Sequence, residues 1–281
     1  MNHIFSLIFI AFAITTHAQQ QDEIEVSYTE YQPNMRTGQK DGTSHQYILL
    51  ARGDYSKFFS PRTEYLDSLN STPEGKSKYQ EMARSAYLGG KIEDVPRADG
   101  SYYVVRSATD NKLYYYDKVG TDRFCYEEDI PQLNWAVGDS TRTILGYECF
   151  LASADYHGRK WIVWFSPEIP VAAGPWKLQG VPGLILEAST EDGLYRFVAD
   201  GIQQTEKLIS PIYLANEYEK TDRIKYLKAK RGFMDNPVGA INAQFSGSGV
   251  SIRSVKISGG SDSDGKLYMA RETIDFIETD Y

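Results

Sequence analysis

Histidine is the scarcest of the residues that could do chemistry in this chain. Four occur in 281 residues. His3 and His17 fall in an apolar leader, so the body keeps only His45 and His157. A histidine-rich zinc site is excluded on ligand count, and Cys125 and Cys149 stand 24 positions apart without the close pairs that structural zinc prefers. A metal site of carboxylates alone stays open but unmarked. No cofactor motif appears: the glycines at 174–183 lack the phosphate-loop lysine pattern, and the prolines among them remove amide donors.

Nucleophilic catalysis needs a base within hydrogen-bond reach of a Ser, Thr or Cys. His157 is the better base by location, with Asp155 beside it and Cys149 on the adjoining strand, but that pairing demands a bent geometry and no GxSxG elbow occurs. A turn histidine is the default. Acid/base hydrolysis needs two opposed carboxylates at a controlled separation. Glu127, Glu128 and Asp129 form a candidate cluster, with Glu168 and Glu187 elsewhere. Three consecutive acids also describe a solvated strand end, and Glu187 after three apolar residues reads as outward-facing or partly buried. Arg52-Gly53-Asp54 reads as a turn before it reads as an adhesion motif.

The positive signal is aromatic. All four tryptophans, Trp135, Trp161, Trp164 and Trp176, fall within one segment. Pointing outward, they would form an apolar wall for an acyl chain, a sugar or an extended peptide; pointing inward, they fill a β core.

The elements that must position these residues centre on 174–188, GPWKLQGVPGLILEA. Val181-Pro182-Gly183-Leu184 predicts a type II turn, with proline presetting φ and glycine accepting a positive one. Residues 184–188 continue as a strand covered on both faces at its start, and Glu191-Asp192-Gly193 turns it back into 194–198 as a hairpin. This stretch resembles the signature of the GLPGLI family of secreted or envelope proteins, with Val181 in place of leucine. The likeness runs back through Trp135, Ile144 to Cys149, His157-Gly158-Arg159 and 164–170, so it covers residues 130–202 well. The family is one of unknown function and carries no catalytic residues to transfer. Its strand order is similar to the half-barrel of periplasmic lipoprotein carriers, an analogy of fold only.

Elsewhere, alternation predicts a first strand from Ile24, a hairpin over 47–59, a meander over 102–126, and strands at 135–137, 146–154 and 159–165, with His157-Gly158 as a two-residue turn. Ser60-Pro61, Thr72-Pro73, Ser210-Pro211 and Thr221-Asp222 are helix starts. Tyr79, Met82, Ala83 and Ala86 make a core-packing stripe on the second of these helices. The fourth helix is predicted to end in basic residues at Gly232. Residues 245–265 are Gly/Ser-rich, a mobile linker or irregular strands, and 268–277 reads as a closing strand. The fold class is α+β and β-rich: a curved, half-barrel-like antiparallel sheet with a few short helices.

Residues 1–18 read as a signal peptide, with an apolar core too short to span a bilayer and small residues at Thr16 and Ala18. Position 19 is Gln19, so the mature chain, 19–281, is expected as one soluble β-rich domain, periplasmic or secreted, without a transmembrane span. Its net charge of −8 disfavours nucleic acid as a partner. In an exported protein Cys125 and Cys149 could close a disulfide loop of about 25 residues, worth on the order of 3 kcal/mol, or be two buried strand residues that never meet. The leading expectation is a non-catalytic envelope protein that binds an apolar, lipid-like or peptide-like ligand, or a partner protein, on a β face near the 180–185 turn. Its binding residues would be Trp161, Trp164, Trp176, Val181, Pro182 and Gly183. A carboxylate-dependent hydrolase and a structural interaction module are the alternatives.

Overall fold

The computed structural model describes residues 23–34, 39–244 and 276–281. The expected signal peptide, the Gly/Ser-rich stretch and most of the expected closing strand lie outside them. The chain runs β1 (Ile24–Gln32), β2 (Thr43–Arg52), β3 (Tyr55–Phe59), α1 (Pro61–Asn70), α2 (Pro73–Leu88), β4 (Tyr103–Ser107), β5 (Lys112–Val119) and β6 (Asp122–Asp129). It continues through β7 (Ala136–Ile144), β8 (Tyr147–Tyr156), β9 (Arg159–Ser166), β10 (Leu184–Thr190), β11 (Arg196–Gln204), β12 (Glu219–Lys220), α3 (Arg223–Asp235) and α4 (Pro237–Gln244). The strands make one curved, unclosed sheet in the order β12-β6-β5-β4-β3-β2-β1-β11-β10-β9-β8-β7. Every neighbouring pair is antiparallel except β12 on β6.

Side-chain alternation explains which face is covered. In β5, Leu113, Tyr115, Asp117 and Val119 are buried while the residues between them are only half covered. Short turns hold the register. Leu145-Gly146 and His157-Gly158 each place both central residues at positive φ, 49° and 89° in the first and 49° and 78° in the second. That is the type I′ geometry that matches strand twist. Arg52-Gly53-Asp54 is the β2–β3 turn, and Arg52 Nε sits 3.0 Å from Glu23, which supports the turn reading.

Helices start where capping chemistry allows. Pro61 opens α1, the Thr72 hydroxyl accepts from the Gly75 amide, and the Asp222 carboxylate from the Lys225 amide. On α2 only Gly75, Tyr79, Met82, Ala83 and Ala86 are covered, so the predicted stripe packs. Three expectations fail locally. Ser210-Pro211 starts no helix, because the Ser210 carbonyl and hydroxyl accept from the buried Lys57 ammonium, both at 3.0 Å. The α3 helix runs past Gly232 to Asp235, so its last turn is not basic. The β7 strand is longer than 135–137 and exposed along nearly all its length.

The two thiols are free. Cys125 lies on β6 and Cys149 on β8, with eight strands between them in the sheet order, which corrects the disulfide expectation. No helix among the described residues is long and apolar enough to cross a membrane.

The inner face carries a row of rings that passes from strand to strand. Trp176 stacks on Trp161 at 5.4 Å, Trp161 on Phe197 at 6.3 Å, and Phe58 on Tyr47 at 4.7 Å. Tyr47 then stacks on Tyr102 at 4.8 Å, Tyr102 on Tyr115 at 5.6 Å and Tyr115 on Tyr126 at 5.0 Å. The α3 helix covers part of this row through Tyr226 and Leu227, both buried.

Candidate functional site

The stretch at 174–188 is a buried plug. The Leu178 amide donates to the Pro175 carbonyl at 3.1 Å, closing a turn that holds Trp176 at φ +53°. A left-handed tryptophan costs on the order of 1 kcal/mol. The turn aims Trp176 onto Trp161 and leaves Lys177, next in sequence, fully enclosed. The predicted type II turn does not form. The Gly183 amide donates to the Val181 carbonyl at 2.9 Å, a three-residue turn around Pro182, and the Leu184 amide donates away to Ile169. Gly183 sits at φ +148°, and a Cβ there would lie 2.1 Å from the Ser166 carbonyl oxygen. Glycine is needed because two backbones meet. A bulge at Leu186 then lets Leu184, Ile185 and Leu186 all be buried, as expected of a strand covered on both faces.

The structure therefore corrects the proposed binding face. Trp161, Trp176, Val181 and Gly183 are enclosed, and the space left beside the 173–179 loop is a void of about 10 Å³. Of the six expected residues only Pro182 is exposed and Trp164 half-buried. The Arg142 guanidinium lies 4.2 Å from the Trp164 ring centroid and pairs with Glu187, so Glu187 faces outward as a partner of that arginine.

Lys177 anchors an ion cluster that closes the inner face. Its ammonium donates to Glu128 on β6, to Glu278 at 2.8 Å and to the Tyr126 hydroxyl at 3.0 Å. His157, at the β8–β9 turn, sets Nε2 3.2 Å from Glu128 and Nδ1 3.2 Å from Asp280. Arg223, at the start of α3, reaches Glu278 at 2.8 Å and Asp280 at 2.7 Å. Burial pushes the Glu128 carboxyl up, but its contacts with His157 and Lys177 outweigh that and pull it down to about 2. Asp280 is likewise lowered, burial being overcome by Arg223 and His157. General-acid work needs a carboxyl held up near the working pH, so two lowered carboxylates suit a clamp. Ligand atoms of His157, Glu278 and Asp280 lie within 4.8 Å of one another, a spacing a metal could use, but Arg223 and Lys177 already neutralise the acids.

What the clamp holds is the segment 276–281. The Thr279 amide donates to the His157 carbonyl at 3.0 Å, and the buried Arg159 donates to the Phe276 carbonyl at 3.0 Å through Nε.

Against that segment lies a cavity of about 340 Å³. Tyr47, Tyr102 and Tyr115 form one wall; Tyr226, Lys230 and Phe233 of α3 form another. Glu30 stands among them, in phase with Val26 and Tyr28 on β1 and opposite His45 on β2. It is fully buried. Its Oε1 accepts from the Tyr102 hydroxyl at 3.0 Å, and its Oε2 has no hydrogen-bond partner among the described residues. Burial raises the Glu30 pKa, against the opposing influence of His45, Gln32, Tyr102 and Lys230. Burial also lifts the phenols of Tyr47, Tyr102 and Tyr115 well above their ordinary range, so they remain neutral hydroxyls.

Of the acids singled out from sequence, only Glu128 turns inward. Glu127 and Asp129 alternate to the other face and share Lys112. Glu168 accepts from the Glu148 amide. Neither Asp155 nor Cys149 is a side-chain partner of His157 among the described residues. Sequence reasoning missed Glu30, Lys177, Arg223 and Glu278. The available signal was a charge placed in an inward phase of an apolar alternation: Glu30 after Val26 and Tyr28, and Lys177 between Trp176 and Leu178.

Comparison with known proteins gives a match over a short segment and two distant structural neighbours. A family model described as "Protein of unknown function (Porph_ging)" matches residues 155–187, from the His157 turn through the 174–185 plug. No curated protein matches the chain. Two solved structures of PNGF-II, in P21 and C2 crystal forms, are 15% and 14% identical over 75% of this chain, each with a TM-score of 0.49. The chain spans 33% of their length.

Proposed function

We propose that this chain is an exported, non-catalytic protein of one β-rich domain that holds a small organic ligand in the tyrosine-walled cavity. The observation that carries the reading is the cavity itself. A sheet packed to about 10 Å³ of void beside Trp176 keeps about 340 Å³ open a few strands away, a size in the range of small-molecule pockets. Aromatic walls with a few polar groups are the lining such pockets use. The leader-like residues 1–18 support export to the periplasm or beyond. A groove of about 390 Å³ at Arg52, Tyr55, Val105 and Ile209 is the weaker candidate, since its one charged side chain is already paired with Glu23.

The test is ligand-observed NMR with p-cresol, a neutral ring of suitable size. Saturable binding at one site per chain is expected, lost in Val119→Trp, which fills the cavity from the end of β5, and kept in Trp164→Ala. Absence of binding to the wild-type chain, or binding that survives Val119→Trp, overturns the reading.

A further inference from the structure

The cavity is not electrically neutral in its demands. His45 Nδ1 lies 2.8 Å from Asp99, Lys118 Nζ 2.7 Å from Asp67, and Lys230 Nζ 2.9 Å from Asp117. Each basic side chain at the wall thus has its own carboxylate. Glu30 makes no ion pair among the described residues: His45 and Lys230 act on it only at longer range, Gln32 adds a polar contact, and its Oε2, without a close hydrogen bond, is shut off from solvent. A buried carboxylate left this way is costly, and proteins rarely keep one without a use.

From this uncompensated carboxyl among tyrosine faces, and resting on the cavity reading above, we propose that the ligand carries a cationic amine, which seats on Glu30 Oε2 beside the rings of Tyr47, Tyr102 and Tyr115. The amine supplies the missing counter-charge and hydrogen-bond donor together, and a charge-assisted hydrogen bond is about twice as strong as a neutral one. The ring faces add cation–π attraction, which strengthens when water is excluded. An amine on an aromatic or short apolar body fits both the carboxyl and the walls.

Three probes of one shape separate the possibilities: 4-methylbenzylamine, 4-methylbenzyl alcohol and 4-methylbenzoate, titrated by calorimetry. The amine is expected to bind about tenfold or more tightly than the alcohol at pH 8, and the benzoate weakest. Glu30→Gln removes the preference for the amine, and Glu30→Asp, which keeps the charge, retains part of it. Melting curves check that both variants are folded. Equal binding of amine and alcohol, or preference for the benzoate, overturns the amine inference while the cavity reading stands. Failure of all three probes, together with p-cresol, removes both.

Discussion

Lys177 and Glu30 are both buried against the row of rings, and their surroundings treat charge in opposite ways. Lys177, in the 174–188 plug, is fully buried but satisfied by Glu128, Glu278 and Tyr126, and almost no void remains beside Trp176. Glu30, on β1, is equally buried, yet its Oε2 has no hydrogen-bond partner among the described residues and it lines a cavity. One charge holds elements together, and the other is left open to a newcomer. The difference teaches where to look for function: burial of a charge marks neither stability nor binding until its partners are counted.

The sharpest way to break the comparison is to remove the satisfied charge. Lys177→Met leaves Glu128 and Glu278 buried beside one another and is expected to destabilise the chain by about 3–5 kcal/mol, read as a fall in the urea midpoint. The segment 276–281 should also become open to proteolysis. If midpoint and protection are both unchanged, the cluster is no clamp. Next in size is Gly183→Val. Its Cβ would meet the Ser166 carbonyl at 2.1 Å, and backbone cannot step aside as a side chain can. A loss of about 3 kcal/mol is expected from the clash and the unfavourable φ together. Gly183→Ala should be nearly as damaging, which separates a close approach from a turn preference.

The cluster also sets a pH dependence. The Glu128 carboxyl is depressed in the folded chain, so its contribution is present above the unfolded carboxylate range and is lost as pH falls toward about 2. That contribution is about 2–4 kcal/mol. Glu128→Gln should be less stable than wild type at pH 6 and nearly equal to it at pH 2. A constant gap across that range would mean Glu128 acts through packing alone.

Much of the scaffold was legible in the chain. Period-two alternation located the strands of the meander, and His157-Gly158 gave its turn because histidine tolerates the left-handed region that a type I′ hairpin demands. Glycine at 183 was legible as special, but its reason was not, since the Ser166 backbone it touches is 17 positions away. The tryptophans misled: their clustering in sequence is the same for an outward wall and an inward plug, and only the Trp176 turn decides. The candidate site was the least legible part. Glu30 meets Tyr102 and Tyr226 frames the same cavity only because distant strands and α3 converge there, and one strand's alternation cannot say whether an inward acid will find a partner.

The smallest expected effect is the most discriminating, because it runs opposite to the others. Glu30 has its pKa raised in the folded chain. Its favourable contribution is therefore complete below the unfolded carboxylate range and is lost as pH rises through the folded value. Above that value the chain must carry a buried charge with no ion-pair partner within reach among the described residues. Glu30→Gln keeps the shape and can still accept from Tyr102, so it should be neutral at low pH and gain about 1 kcal/mol once pH passes the folded Glu30 value, seen as a melting temperature higher by a few degrees. A structural acid does not behave this way, since its removal costs stability where it is ionised. A binding acid does, because the site is tuned to the ligand at the expense of the empty fold. If Glu30→Gln is instead less stable than wild type at high pH, Glu30 belongs with Lys177 among the charges that hold the sheet together, and the contrast between the two buried groups disappears.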